Sequence, residues 1–543
     1  MQHRKTIGPL PFAPCARHML GRVAAMACLA ATLSGCRGPE AARPDGTLAA
    51  PGASRDAEAL QRPAASKETT VTEPKPIETL MRTVDLNVGQ TREVVLCDGR
   101  TATVKLVALG EERDDLRGAV RRATATVQIN GREAVLTAGA YELPALVGRV
   151  QADCAVTKAY VANNRSNPWA LDTDARVRLW PGGWPWVRAE TFAYPVRQRW
   201  FATQTQMANE PTFVDGVESP AAKRVYYHDG LDIGGPDGLL EVTSTTDGLV
   251  VVAGEARLAG REGLPAKGRT DTVYVLDGRG WLHRYSHLAS VAVRVGQSVA
   301  KGEKLGVLGK EGDSGGWSHL HYAISAVQPS GRWGTVEGYA FLWQAYVQQY
   351  GPKLLAVARP HALAWTGQKV TLDGSRSWAA CNNITGYFWT FGDGTVARGA
   401  KVERTYEKAG EYCETLEVTD CRGNLEVDFA TVQVIDREHP DRLPPGIHAC
   451  YVPTFDIAPG DPVTFLVRTF GTTERQEVWD FGDGTPPVTT KSDGNVDPHA
   501  RDGYAVTEHR FAKAGRYIVT VRRSDEHGQE ATARMAVYVE RKR

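Results

Sequence analysis

Five of the 13 histidines fall between residues 228 and 321, within short segments punctuated by glycine. Tyr227-His228-Asp229-Gly230-Leu231-Asp232-Ile233-Gly234-Gly235 sets a histidine and an aspartate four apart. Its glycines disfavour a helix, so a turn running into a strand is expected. Ser318-His319-Leu320-His321-Tyr322-Ala323-Ile324 reads as a strand. Positions i and i+2 of a strand share one face, so His319 and His321 are expected to project together. Arg284-Tyr285-Ser286-His287-Leu288 lies between the two segments. Neutral imidazoles and one carboxylate suit zinc, which binds tetrahedrally and in catalytic sites leaves one corner to water. Two histidines and one aspartate would fill three corners. Two further histidines would then be left to move protons and to hold a developing oxyanion.

These residues need a scaffold, and residues 191–350 are strand-rich with Gly-rich turns, as a compact antiparallel β domain requires. Residues 82–190 read as a small β domain of their own. In it Ala123-Thr124-Ala125-Thr126-Val127-Gln128-Ile129 alternates cleanly and Asn130-Gly131 marks a tight hairpin turn. The cluster Trp180-Pro181-Gly182-Gly183-Trp184-Pro185-Trp186 could stack sugars, but interdomain packing is the preferred reading. The C-terminal region repeats itself: Trp389-Thr390-Phe391-Gly392-Asp393-Gly394-Thr395 recurs as Trp479-Asp480-Phe481-Gly482-Asp483-Gly484-Thr485. Each copy continues into an alternating strand, which points to two immunoglobulin-like β-sandwiches. The expected fold class is therefore mostly β and multidomain.

The motifs carry family resemblances. His-x-x-x-Asp, then Tyr-x-His-Leu, then His-x-His resembles the lysostaphin-like (LytM-type) zinc endopeptidases over about 220–330. The resemblance implies that His228, Asp232 and His321 bind one Zn2+ and that His287 and His319 are the catalytic histidines. His283 has no counterpart in the motif and is expected at the surface. Family substrates are peptide bridges of peptidoglycan, so a membrane-anchored metalloendopeptidase acting in cell-wall remodelling or lysis is implied. Where the family usually has Gly-Pro before His-x-His, this chain has Trp317-Ser318, and an insertion around residues 260–269 would lengthen a rim loop. The repeats at 355–437 and 447–541 resemble PKD domains, which would act as spacers or bind wall polymer or protein. Asp393 and Asp483 could bind calcium there, but a Gly-Asp-Gly turn needs its aspartate simply to cap the loop, and capping is preferred. Rival readings are a non-catalytic activator of a wall amidase, an adhesin, and a peptidase acting on exported proteins.

The N-terminus bears on location. Basic residues precede an apolar run at 23–33 that ends in Leu33-Ser34-Gly35-Cys36, the pattern of a signal peptide over 1–35. Leu-Ser-Gly-Cys resembles the lipobox of bacterial lipoproteins, which implies lipidation of Cys36 and an exported protein of the cell envelope. Arg37 favours the outer membrane, if there is one. Residues 36–81 are rich in Pro, Ala and Glu and read as a flexible tether. Six cysteines remain (Cys97, Cys154, Cys381, Cys413, Cys421 and Cys450), and an even set in an exported chain suggests disulfides. Cys97 with Cys154, and Cys381 with Cys421, are the expected pairs. A net charge of +1 with 23% charged residues gives no field for nucleic acid.

Overall fold

A computed structural model describes residues 72–211, 219–221 and 225–541. The signal peptide, Cys36 and most of the expected tether lie outside the described residues. The remainder of that tether, 72–81, is packed rather than free. Ile77 N–H donates to the Gly278 carbonyl at 2.9 Å, and Leu80 enters the core of the 191–350 domain, passing over the β domain that follows it in the chain. The apolar Ile-x-x-Leu spacing gives the segment something to bury, which the Pro-rich part before it lacks.

The N-terminal β domain consists of two four-stranded antiparallel sheets. One joins Arg82–Leu86, Ala175–Pro181, Val150–Thr157 and Ala145–Val147; the other runs from Thr91–Val95 through Thr101–Arg113 and Val120–Ile129 to Arg132–Thr137. Alternate residues such as Ala123, Ala125, Val127 and Ile129 face inward, as the period-two pattern requires. Their shared core also takes in Val225 and Tyr227, so the chain just before His228 belongs physically to this domain. Trp180 is fully buried and Trp186 packs on Trp343 at 5.6 Å, so these two serve packing, while Trp184 is exposed.

The second domain is built on a nine-stranded sheet and a separate three-stranded one (Glu241–Thr243, Lys304–Leu308 and Leu288–Val291). Six strands of the larger sheet are labelled in chain order: β1 (Thr205–Gln206), β2 (Leu231–Gly234), β3 (Gly248–Ala253), β4 (Val273–Asp277), β5 (Leu282–Ser286) and β6 (His319–Val327). Their spatial order is β3-β4-β5-β6-β2-β1, all antiparallel. Helix α1 (Tyr339–Tyr350) follows, with Gly351 at φ 57° as its left-handed C-terminal residue. The domains are fastened by a buried charge cluster. The Arg178 guanidinium forks onto the Asp153 carboxylate at 2.8 and 2.5 Å and reaches Glu337 Oε2 at 3.0 Å, just before α1.

Both C-terminal repeats are β-sandwiches, as expected. Trp389 and Phe391, and likewise Trp479 and Phe481, point into their cores, while Asp393 and Asp483 each accept the backbone N–H and hydroxyl of the following threonine. Strand Gly410–Asp420 of the first sandwich pairs in parallel with Glu530–Val539 of the second, joining the two into one nine-stranded sheet.

Two expectations on cysteines part company. Cys381 and Cys421 form a disulfide. Cys97 and Cys154 do not pair: Cys154 lies inside the N-terminal core, while Cys97 sits in a turn and packs against the core of the second domain. A disulfide needs its Cα atoms within about 7 Å and its side chains turned toward each other, and these two turn to different cores.

Arg178→Ala should leave two buried carboxylates without their cation, at a cost of about 3–5 kcal/mol. A lowered urea midpoint in equilibrium unfolding would register it, and a change below about 1 kcal/mol would contradict this account of the interface.

Candidate metal centre

The register of the sheet brings the separated motifs together. Pairing of β2 with β6 sets Asp232 opposite His321 and Gly234 opposite His319. On the other side of β6, Ser286 at the end of β5 stands opposite His321, so His287 leaves the sheet beside it. His228 precedes β2 and is tied down from both directions. Its backbone N–H donates to the Glu210 carbonyl at 2.8 Å, and its carbonyl accepts from Asn209 N–H at 2.9 Å. One residue earlier, the Tyr227 hydroxyl donates to Asn163 Oδ1 at 2.6 Å and accepts the Val120 N–H.

Three donor atoms converge. His228 Nε2 lies 3.1 Å from Asp232 Oδ1 and 3.1 Å from His321 Nδ1, which is itself 2.9 Å from Asp232 Oδ1. Bond lengths of about 2.0–2.1 Å to a tetrahedral zinc put neighbouring ligand atoms roughly 3.3 Å apart, close to this triangle. The donor set therefore fits one ion with a fourth corner open. Burial works against a charge on Asp232, but the neighbouring histidines hold its carboxyl well below the usual range. His321 is pushed down to about 4, chiefly by burial, and so is neutral. At His228 burial favours the neutral ring, yet the Asp232 carboxylate prevails and raises its pKa.

His287 and His319 flank the trio, their ring centres 4.6 Å apart. His319 Nδ1 lies 3.0 Å from the Trp317 carbonyl and His287 Nδ1 lies 2.7 Å from that of Glu311. A carbonyl can only accept, so in both rings Nδ1 carries a proton and Nε2 is left for chemistry. The Nε2 of His319 is 3.5 Å from Asp232 Oδ2. All five residues are only 3–6% exposed, and burial pulls His319 well below an ordinary histidine pKa, so its ring is neutral.

His283 is the correction. Far from the surface, it is fully buried, with Nε2 3.1 Å from Asp277 Oδ2 and Nδ1 2.9 Å from the Tyr322 hydroxyl. It alternates with Tyr285 along β5, so both face the interior, and Asp277 supplies the polar partner that burial demands. Two contributors escaped the sequence reading. Asp271 accepts the His287 N–H at 2.8 Å and holds that residue at φ 68°, a left-handed conformation a histidine needs help to keep. Arg269, in the segment between β3 and β4, pairs with Asp271 through Nη2 at 2.7 Å. Trp317 stacks on His319 with ring centres 3.9 Å apart. The short Arg-x-Asp spacing was visible in the chain, but its distance from residue 287 hid the connection.

The metal affinity of this trio should depend on pH in one direction. A proton on His228 Nε2 excludes a metal ion, so affinity falls as pH drops through that raised pKa and recovers above it. Competition with a chelator between about pH 5.5 and 8 should show affinity climbing with release of about one proton. A flat profile would contradict the assignment of His228.

The profile of peptidase family M23 matches residues 226–331, and PKD profiles match residues 355–434 and 451–537. The peptidoglycan DD-endopeptidase ShyA of Vibrio cholerae is 31% identical over 131 residues, 24% of this chain and 26% of that protein. The collagenase ColA of Clostridium perfringens is 31% identical over 81 residues, 15% of this chain and 7% of that protein. This chain thus spans about a quarter or less of the curated relatives it matches. The catalytic domain of the antimicrobial peptidase lysostaphin from Staphylococcus simulans aligns at 22% identity, covering 26% of this chain and 92% of that one, with a TM-score of 0.19. The chain therefore contains a LytM-type domain of peptidase family M23, followed by two PKD domains.

Proposed function

We propose that this protein is a zinc metalloendopeptidase that hydrolyses peptide cross-links of peptidoglycan, anchored at the cell envelope through a lipid on Cys36. The observation that carries the reading is the triangle of His228 Nε2, Asp232 Oδ1 and His321 Nδ1, flanked by two histidines whose Nε2 atoms are uncommitted to a carbonyl. His228, Asp232 and His321 would hold the ion. Zinc bound there would supply Lewis acidity, polarising a peptide carbonyl and acidifying water. The likeness to ShyA, which is named a peptidoglycan DD-endopeptidase, supports the wall cross-link as substrate.

The two flanking histidines divide the work by environment. His319 is held neutral by burial, and its Nδ1 proton is engaged by the Trp317 carbonyl, so Nε2 is the base that takes up the proton of attacking water. His287, whose Nδ1 is held by the Glu311 carbonyl at 2.7 Å, is left to hydrogen-bond the tetrahedral oxyanion through Nε2. The PKD pair would hold the enzyme to wall polymer or protein.

The test is to incubate purified soluble protein with peptidoglycan, with and without a chelator, and to identify the released muropeptides by mass. Chelator-sensitive release of peptide-cleaved fragments is expected. Glycan-cleaved products, or full activity in chelator, would refute the reading. His287→Ala should lower kcat/KM by about 10²-fold or more while leaving the zinc content at one per chain. In cells, Cys36→Ala should shift the protein from the membrane to the soluble fraction, and unaltered membrane partition would remove the anchor.

A further inference from the structure

The catalytic neighbourhood does not end at the boundary of the M23 domain. The loop 315–318 leads directly into His319, and among the described residues its hydrogen-bond anchors outside its own domain come from the second PKD domain. Ser318 N–H donates to the Tyr504 hydroxyl at 2.7 Å. Arg468, fully buried and fixed by Asp493, donates from Nη1 to the Gly316 carbonyl at 2.6 Å. Asn495 Nδ2 donates to the Gly315 carbonyl at 3.2 Å. Gly316 itself, at φ 84°, has no room for a side chain: a Cβ there would stand 1.9 Å from Asn495 Oδ1. Between these anchors Trp317 stacks on His319 on one side and meets the His448 ring at 5.4 Å on the other.

The hydrogen-bond directions around His448 close without an alternative. Thr203 Oγ1 donates to the Ala449 carbonyl at 2.5 Å, so toward His448 Nε2, 3.1 Å away, it accepts. Burial pushes the His448 pKa down to about 3, so the ring is neutral, Nε2 holds its one proton and Nδ1 is an acceptor. The Tyr504 hydroxyl, 2.8 Å from Nδ1, must therefore donate to it, which leaves the phenolic oxygen to accept from Ser318. Buried groups so connected, with each donor matched to an acceptor, define one arrangement.

We propose that Tyr504, His448, Arg468 and Asn495 of the second PKD domain are positioning residues of the peptidase site, fixing the loop 315–318 and, through Trp317, the orientation of the His319 ring. The inference rests on the assignment of His319 as proton acceptor made above. It gives the second PKD domain a role in the chemical step, distinct from tethering or substrate capture.

Tyr504→Phe deletes only the oxygen at the centre of the network, and Asn495→Gly removes one loop anchor while suiting the φ of 60° found there. Both variants are to be made in the full chain and assayed on a soluble cross-linked muropeptide dimer. Metal analysis and hydrogen exchange across 315–319 accompany the kinetics. We expect kcat to fall about tenfold or more, KM to stay within about twofold, zinc content to hold and exchange at 315–319 to quicken. A raised KM with kcat preserved would overturn the proposal in favour of a binding module, and unchanged kinetics in both variants would overturn it outright. Asn495→Gly carries the test if Tyr504→Phe fails to fold. A wild-type protein that binds zinc yet leaves the dimer intact would instead remove the peptidase reading and this proposal with it, whereas an active wild type with indifferent variants removes the positioning role alone.

Discussion

Bringing two imidazole nitrogens and a carboxylate oxygen within about 3 Å of one another in a buried pocket is unfavourable unless something outside the trio imposes it. Here the imposition is the antiparallel register of β2 on β6, which fixes Asp232 against His321 through main-chain hydrogen bonds. A slip of β2 by one residue would turn Asp232 to the face opposite His321. The remaining sheet, the aromatic core beneath it and the flanking domains all serve to keep that pairing in place.

The flanking domains do so by sharing residues with the site's own supports. Tyr227 is part of the N-terminal core and immediately precedes His228, so the first ligand is anchored by a domain that contributes no ligand itself. Arg178 reaches across to Glu337, and Arg199 of the second domain donates to the Thr454 carbonyl in the second PKD domain at 2.9 Å. A buried guanidinium such as that of Arg178 is costly to desolvate unless fully paired, and its presence at the seam argues for domain positions held to a single arrangement.

Much of this was legible in the chain because local rules carried it. Period-two alternation put His319 and His321 on one face, the glycines around His228 excluded a helix, and the doubled Trp-x-Phe-Gly-Asp-Gly turn declared two sandwiches. What failed were statements about which core a residue serves. Cys97 and Cys154 were assigned to one domain by proximity in sequence, yet their side chains fill different cores. His283 was set aside because no motif claimed it, when its alternation with Tyr285 already implied burial; only the partner, Asp277, depended on the fold. Asp271 and Tyr504 could not have been found at all, since their contacts to His287 and Ser318 span a turn of the sheet and an entire domain.

The sheet that runs unbroken from one PKD sandwich into the other, through Gly410 opposite Glu530, has an evolutionary implication. Modules strung like beads can be duplicated, lost or exchanged by recombination in the linker between them. A pair joined strand to strand cannot, because each departure would expose raw main-chain donors and acceptors to whatever chain lay nearby. The seam is short, Gly410 and Glu411 against Glu530 and Ala531, yet it makes the two copies one unit for any rearrangement of the chain.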